Sequence, residues 1–258
     1  MPLINAFLSN LPGHFPSSMS NVEELLLREY GSVFLARGGA VPPTKVVFRD
    51  EADVSGFQDR LEIDSENIGG FTMEFQAAAM RNLREAIHEA RSLGLTITPR
   101  GPDSGRRTYG ETVGLWASRV EPALSHWVEQ GRLAPAVASG ITALAPFDQV
   151  TEVLTLEESG LYFAKDLSKS IIYSVAPPGT SQHLSMLAFD VREFDDSRVR
   201  DVLARHYWYQ TVVSDLPHFT FLGVPERDLA ALGLKSVESC ARSFWIPDLP
   251  AATLSSPP

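Results

Sequence analysis

The aspartate at position 190 restricts the folding of this chain more than any other residue. It stands near the end of Met186-Leu187-Ala188-Phe189-Asp190-Val191, an apolar and strand-prone run. Burying such a strand also buries a carboxylate, which is costly unless the group is paired, hydrogen-bonded or metal-bound. The fold must therefore bring a partner to Asp190. Composition limits what that partner can be. Cys240 is the only cysteine among 258 residues, which excludes an intramolecular disulfide and any site built from several thiolates. A metal in this chain has to use histidine and carboxylate.

The remaining composition is that of an ordinary globular domain, with 44% apolar and 21% charged residues. A formal net charge of -10 is the wrong sign for holding a phosphate backbone, so no nucleic-acid partner is expected. No stretch approaches the ~20 apolar residues that a membrane span needs. The N-terminus lacks the basic start and apolar core of a secretory signal. The length suits a single large domain. We expect a loose segment over residues 1–20, one domain over 21–248 with a helical insertion at about 115–158, and a flexible tail over 249–258.

Local signals predict helices and short strands in alternation. Ser20 and Glu23 have capping-box spacing ahead of Leu25-Leu26-Leu27, which predicts a helix stopping near Gly31. Strands are expected at Ser32 to Leu35 and Lys45 to Phe48, and Asp50 is expected to cap a helix reaching about Leu61. The strongest helical stripe runs from Met73 to Leu93 and ends at Gly94, followed by a strand at Leu95 to Thr98. Residues 108–131 predict two helices broken at Pro122, and Leu133 to Pro146 a connector. A further helix is expected at 196–206, with strands at 186–191, 218–222 and 241–246. No regular βαβ rhythm is present, so the class is α+β.

Six histidines are available. His14 falls in the loose N-terminal segment, His88 and His126 on polar helix positions, and His206 at a helix end where a cation suits the dipole. His183 differs, because the turn Pro177-Pro178-Gly179 delivers Ser181 and His183 along an extended segment, with Asp190 seven residues on. His218 opens the strand His218-Phe219-Thr220-Phe221, and Asp215 lies three residues before it. Two histidines and one aspartate leave a fourth position on zinc for water, which is the plan of a catalytic site. Asp215 would then stand beside that water, where a general base belongs. Tyr207, Trp208, Tyr209, Phe219 and Phe221 read as core, Cys240 as a small buried residue, and no phosphate loop or serine-hydrolase elbow occurs.

The segment TSQHLSMLAFD resembles the SxHxxGxAxD signature of the zinc D-Ala-D-Ala carboxypeptidases and related VanY-like peptidoglycan peptidases. SDLPHFTFLG resembles their ExxH segment, and Ser104-Gly105-Arg106-Arg107-Thr108-Tyr109 resembles their SGYRS segment. The three occur in the family's order, between residues 104 and 223. The resemblance implies zinc held by His183, Asp190 and His218, with Asp215 in place of the catalytic glutamate. It also implies that Arg107 stabilises the oxyanion or holds the peptide carboxylate, and that Ser181 contributes to substrate binding. The implied fold is a small, mainly antiparallel sheet with helices packed on one face and the zinc site at its open face, as in the DD-peptidase and Hedgehog group.

This chain departs from the family pattern at four places. Met186 replaces a glycine, Asp215 a glutamate, Pro217 a tryptophan and Thr112 a glutamine. The expected substrate is the D-Ala-D-Ala end of a peptidoglycan stem peptide, which implies a location outside the cytoplasm. The alternatives are a dipeptidase or endopeptidase on the same scaffold, and a zinc protein that binds wall peptides without cleaving them.

Overall fold

The computed structural model describes residues 5–16 and 18–250. In chain order the elements are α1 (Ala6–Ser9), α2 (Asn21–Tyr30), a 3-10 helix (Gly31–Leu35), α3 (Glu51–Gln58), β1 (Ile63–Ile68), β2 (Phe71–Gln76), α4 (Ala77–Ser92), α5 (Tyr109–Glu129), α6 (Pro135–Thr142) and α7 (Asp148–Glu158). Then come 3-10 turns at Ile171–Tyr173 and Gln182–Ser185, β3 (Ala188–Asp190), α8 (Ser197–Arg205), β4 (Trp208–Gln210), β5 (His218–Phe221), α9 (Glu226–Leu229), β6 (Leu234–Ser239) and β7 (Arg242–Pro247). Helix and strand are mixed and every strand pairing is antiparallel, as the expected class requires. Among the described residues the pairings form three small sheets instead of one: β1-β2, β3-β5-β4 and β6-β7. No helix among the described residues is long and apolar enough to cross a membrane.

The chain divides into two compact units. The first takes the described residues of Met1–Val46, Glu62–Gly105 and Leu187–Pro258. Its core is aromatic. Trp208 of β4 packs against Phe75 of β2, Phe189 of β3 and Phe221 of β5, with ring centroids 5.4 to 6.2 Å apart. Helix α8 lies against α4 and β4, and α2 against β7. The second unit takes Val47–Leu61 and Arg106–Met186. Here α3 packs on α5 and on the 3-10 turn Gln182–Ser185. Phe48, Val54, Phe57 and Leu184 form a buried cluster there, covered by Leu61 and Tyr109.

Helix starts follow the local chemistry closely. Ser20 and Glu23 form the complete capping box, and Thr108 and Glu111 form a second one at the start of α5. Asp50 caps α3 by accepting from the Asp53 N–H. Gly94 turns left-handed after α4, at φ 70°.

Elsewhere the structure corrects the expectation. Residues 71–76 are strand, so the helix begins at Ala77 and not Met73. Met73 and Phe75 are both buried on one side of that strand, and so short a two-residue period also fits the start of the helical stripe. The partner strand β1 joins it through Gly69-Gly70, both left-handed, in the manner of a tight hairpin. Ser32 to Leu35 belong to a buried 3-10 helix, not a strand.

Three further stretches differ. Lys45 to Phe48 enter no sheet, although the Phe48 N–H donates to the Gly179 carbonyl at 2.9 Å. Leu95 to Thr98 also stay outside the sheets; the neighbouring Pro99 makes a single bridge to Val191, and the Thr98 N–H goes to the Glu193 carboxylate at 2.8 Å. Helix α5 runs unbroken through Pro122, and the expected connector contains α6 with Pro135 at its first turn. Cys240 is exposed, in the two-residue turn between β6 and β7.

Candidate metal centre

Strand β5 is the middle strand of its sheet, and His218 is its first residue. Asp190 ends β3 and lies directly opposite His218 in the antiparallel register. The Asp190 N–H donates to the Ser104 carbonyl and its own carbonyl accepts from the Arg100 N–H, both at 3.0 Å. Both backbone groups of Asp190 are thus used on the side away from β5. The pair is therefore a non-hydrogen-bonded one, the arrangement that brings facing side chains closest. His218 Nδ1 lies 3.2 Å from Asp190 Oδ1, and the two side chains retain only 6% and 13% exposure. The expected partner of the buried carboxylate is therefore present.

His183 sits in the turn Gln182–Ser185 and is 2% exposed. This segment is helical, not extended as expected, so Ser181 and His183 do not alternate as strand residues. Ser181 precedes the turn, buried; its carbonyl accepts from the Leu184 N–H at 3.1 Å, and its side chain makes no capping hydrogen bond. After the turn, Met186 adopts a left-handed conformation at φ 60° and ψ 29°, and the chain enters β3. Glycine adopts this left-handed conformation without penalty, so a side chain such as that of Met186 carries backbone strain here.

One ligand atom from each of His183, Asp190 and His218 lies within 4.8 Å of the others. Two imidazoles and a carboxylate at this separation can hold a metal ion. Asp215 stands outside that group, in the turn before β5, and the residue is exposed. Its carbonyl accepts from the His218 N–H at 3.1 Å, so the backbones of the expected base and of one expected ligand share a turn. Next to Asp215, the Ser214 hydroxyl donates to Glu29 Oε1 at 3.1 Å. Burial pushes the Glu29 carboxyl above its ordinary range, and the Ser214 hydrogen bond partly offsets this.

The arginine segment is held by a residue that sequence reasoning missed. Gln58, buried at the end of α3, donates from Nε2 to the Leu184 carbonyl at 3.0 Å and to the Arg107 carbonyl at 3.1 Å. Its Oε1 accepts from Arg106 Nε at 2.8 Å. The Arg107 N–H in turn donates to the His183 carbonyl at 3.4 Å. One amide side chain therefore fixes both arginines relative to the segment that carries His183. Arg107 is half-buried and Arg106 exposed. Nothing in the sequence around Gln58 signals this role, because its partners lie 49 and 126 residues away.

Thr112 also takes part. Its hydroxyl accepts from the Gly179 N–H at 3.1 Å and donates to the Tyr109 carbonyl at 2.7 Å, which pins the Pro177-Pro178-Gly179 turn to α5. Gly179 has φ 75°, and a Cβ there would lie 1.8 Å from the Phe48 carbonyl oxygen. Only glycine fits. The remaining histidines keep structural surroundings: His206 Nε2 pairs with Glu89 at 2.8 Å, His126 packs against Trp127, and His14 and His88 are exposed. Comparison with protein-family models, with curated proteins and with solved structures yields no match.

Proposed function

We propose that this chain is a zinc-dependent peptidase, and within that class a carboxypeptidase acting on D-Ala-D-Ala ends of peptidoglycan stem peptides. The observation that carries the reading is the convergence of His183, Asp190 and His218. Those three residues also carry the resemblance to the VanY-like peptidases, in its motif order. The donor set suits zinc, since two imidazole nitrogens and one carboxylate oxygen leave a position open in a tetrahedral shell. When bound, the metal supplies an activated water and polarises the scissile carbonyl. The DD-peptidase and Hedgehog type of fold belongs to the same proposal, supported by the small antiparallel sheet that bears Asp190 and His218. A cell-wall substrate would place the protein outside the cytoplasm.

The chain's own residues divide the remaining work. Asp215 accepts the proton of the attacking water and returns it to the leaving amine, so the peptide bond breaks without a net gain or loss of protons on the enzyme. Arg107 holds the peptide carboxylate or the developing oxyanion with its planar set of donors, and Ser181 contributes to substrate binding. Gln58 serves by keeping Arg107 in place.

Zinc content after dialysis, together with D-Ala release from a stem pentapeptide, tests the reading. The parent should hold one zinc per chain and release D-Ala. Asp215→Ala should keep its zinc and lose roughly 10²–10⁴-fold in rate, the usual contribution of a general base. His183→Ala should lose the metal. Zinc bound without hydrolysis of any stem peptide would leave a wall-peptide binding protein, cleavage at another bond would leave a dipeptidase or endopeptidase, and no zinc would end all three readings.

A further inference from the structure

We infer that Glu29 is a positioning residue for this site. From α2 it holds, through the Ser214 hydroxyl, the loop that presents Asp215 and leads into His218. The functional part of the inference rests on the hydrolytic reading above; the tether itself does not. Residues 211–217 link β4 to β5, and their backbone closes on itself where the Asp215 N–H donates to the Val212 carbonyl and the His218 N–H to the Asp215 carbonyl, each at 3.1 Å. The two ends of the loop are tied to the sheet. The Thr211 and Thr220 hydroxyls lie 2.6 Å apart, and the Gln210 side-chain amide donates to the Leu216 carbonyl.

Ser214, beside Asp215, is tied elsewhere. Its hydroxyl reaches a carboxylate 185 residues upstream, on a helix anchored by its capping box and by buried Leu26, Leu27 and Tyr30. Glu29 is poorly placed for a carboxylate on two counts. It lies in the last turn of α2, where the helix dipole disfavours negative charge, and it is half-buried. Ser214 is its hydrogen-bond partner. A solvated residue at 29 would avoid both costs and lose the tether.

Four variants test this: Glu29→Ala, Ser214→Ala, the double variant, and Glu29→Gln, whose amide oxygen still accepts from Ser214. Amide hydrogen exchange is followed at 215 and 218, with zinc content, kcat and KM measured alongside. Exchange at those two amides should rise about tenfold in each alanine variant and no further in the double variant, the size expected for one hydrogen bond to a charged group. Zinc content should hold, kcat should fall about tenfold with KM within about twofold, and Glu29→Gln should stay close to the parent. Unchanged exchange in the loop, exchange rising equally across the chain, or multiplying effects in the double variant would overturn the tether. Loop exchange that rises as expected while kcat stays constant would overturn the positioning role. A parent that hydrolyses no peptide ends the hydrolytic reading and the positioning role with it, while the exchange data still decide the tether.

Discussion

Glu157 illustrates how a single buried acid can order a loop. It is 7% exposed, and one carboxylate oxygen accepts from the Phe163 N–H at 3.1 Å and the Ile171 N–H at 2.7 Å, while the other accepts from the Ser170 hydroxyl. Burial nevertheless dominates and raises its pKa above the ordinary 4.5. The native state therefore binds this proton more tightly than the unfolded chain does. The resulting stabilisation is complete below about 4.5, declines as pH rises from there through the raised value, and is gone above it. Glu157→Gln should remove that slope. Urea midpoints of parent and variant between pH 4 and 8 would show it as a difference that changes with pH; parallel curves would refute the assignment. At the same scale, the histidine and aspartate ligand candidates were legible because their types and spacing are unusual beside apolar strands. Gln58 and Glu29 were not. Their local surroundings are those of any polar helix residue, and their hydrogen-bond partners are remote in sequence.

Among the elements, α5 differs most from its expectation. Proline lacks an N–H and crowds the preceding turn, so Pro122 predicted a break, yet the helix continues from Tyr109 to Glu129. Burial explains the override. Trp116 and Val120 before the proline, and Ala123, Leu124 and Trp127 after it, all lie on one buried face. Their packing offsets the penalty of one residue, which is exposed. Pro122→Ala should accordingly raise stability by about 2–3 kcal/mol, the cost of proline at an exposed helix interior. A thermal or urea melt that shows no gain would mean that the proline relieves some other constraint. The β1-β2 hairpin escaped notice for the opposite reason. Asp64, Ser65, Glu66 and Asn67 have poor strand propensity, and the strand exists because β2 pairs with it across Gly69-Gly70. The Ser20–Glu23 capping box and the glycine after α4 were legible, since each needs only residues within one turn.

For the whole molecule, the proposed metal is linked to folding. A ligand that binds only the folded chain adds about 2.7 kcal/mol at a hundred times its dissociation constant. For a chain of this length, that corresponds to a rise in Tm of roughly 5–10 °C. Zinc added to chelator-treated protein should produce such a rise, and His183→Ala should abolish it. A Tm indifferent to both zinc and chelator would contradict a structural contribution from the site. The sequence by itself determined the α+β class, the starts of α2, α3, α5 and α8, and the need of Asp190 for a partner, because capping, periodicity and the cost of a buried charge are local properties. The tertiary structure alone decided that three small sheets form, that Asp190 faces His218, that Met186 turns left-handed, and that Gln58 and Glu29 reach residues near the candidate site. Those outcomes depend on which distant segments share a hydrogen bond or a core, and short-range pattern carries no record of such pairings.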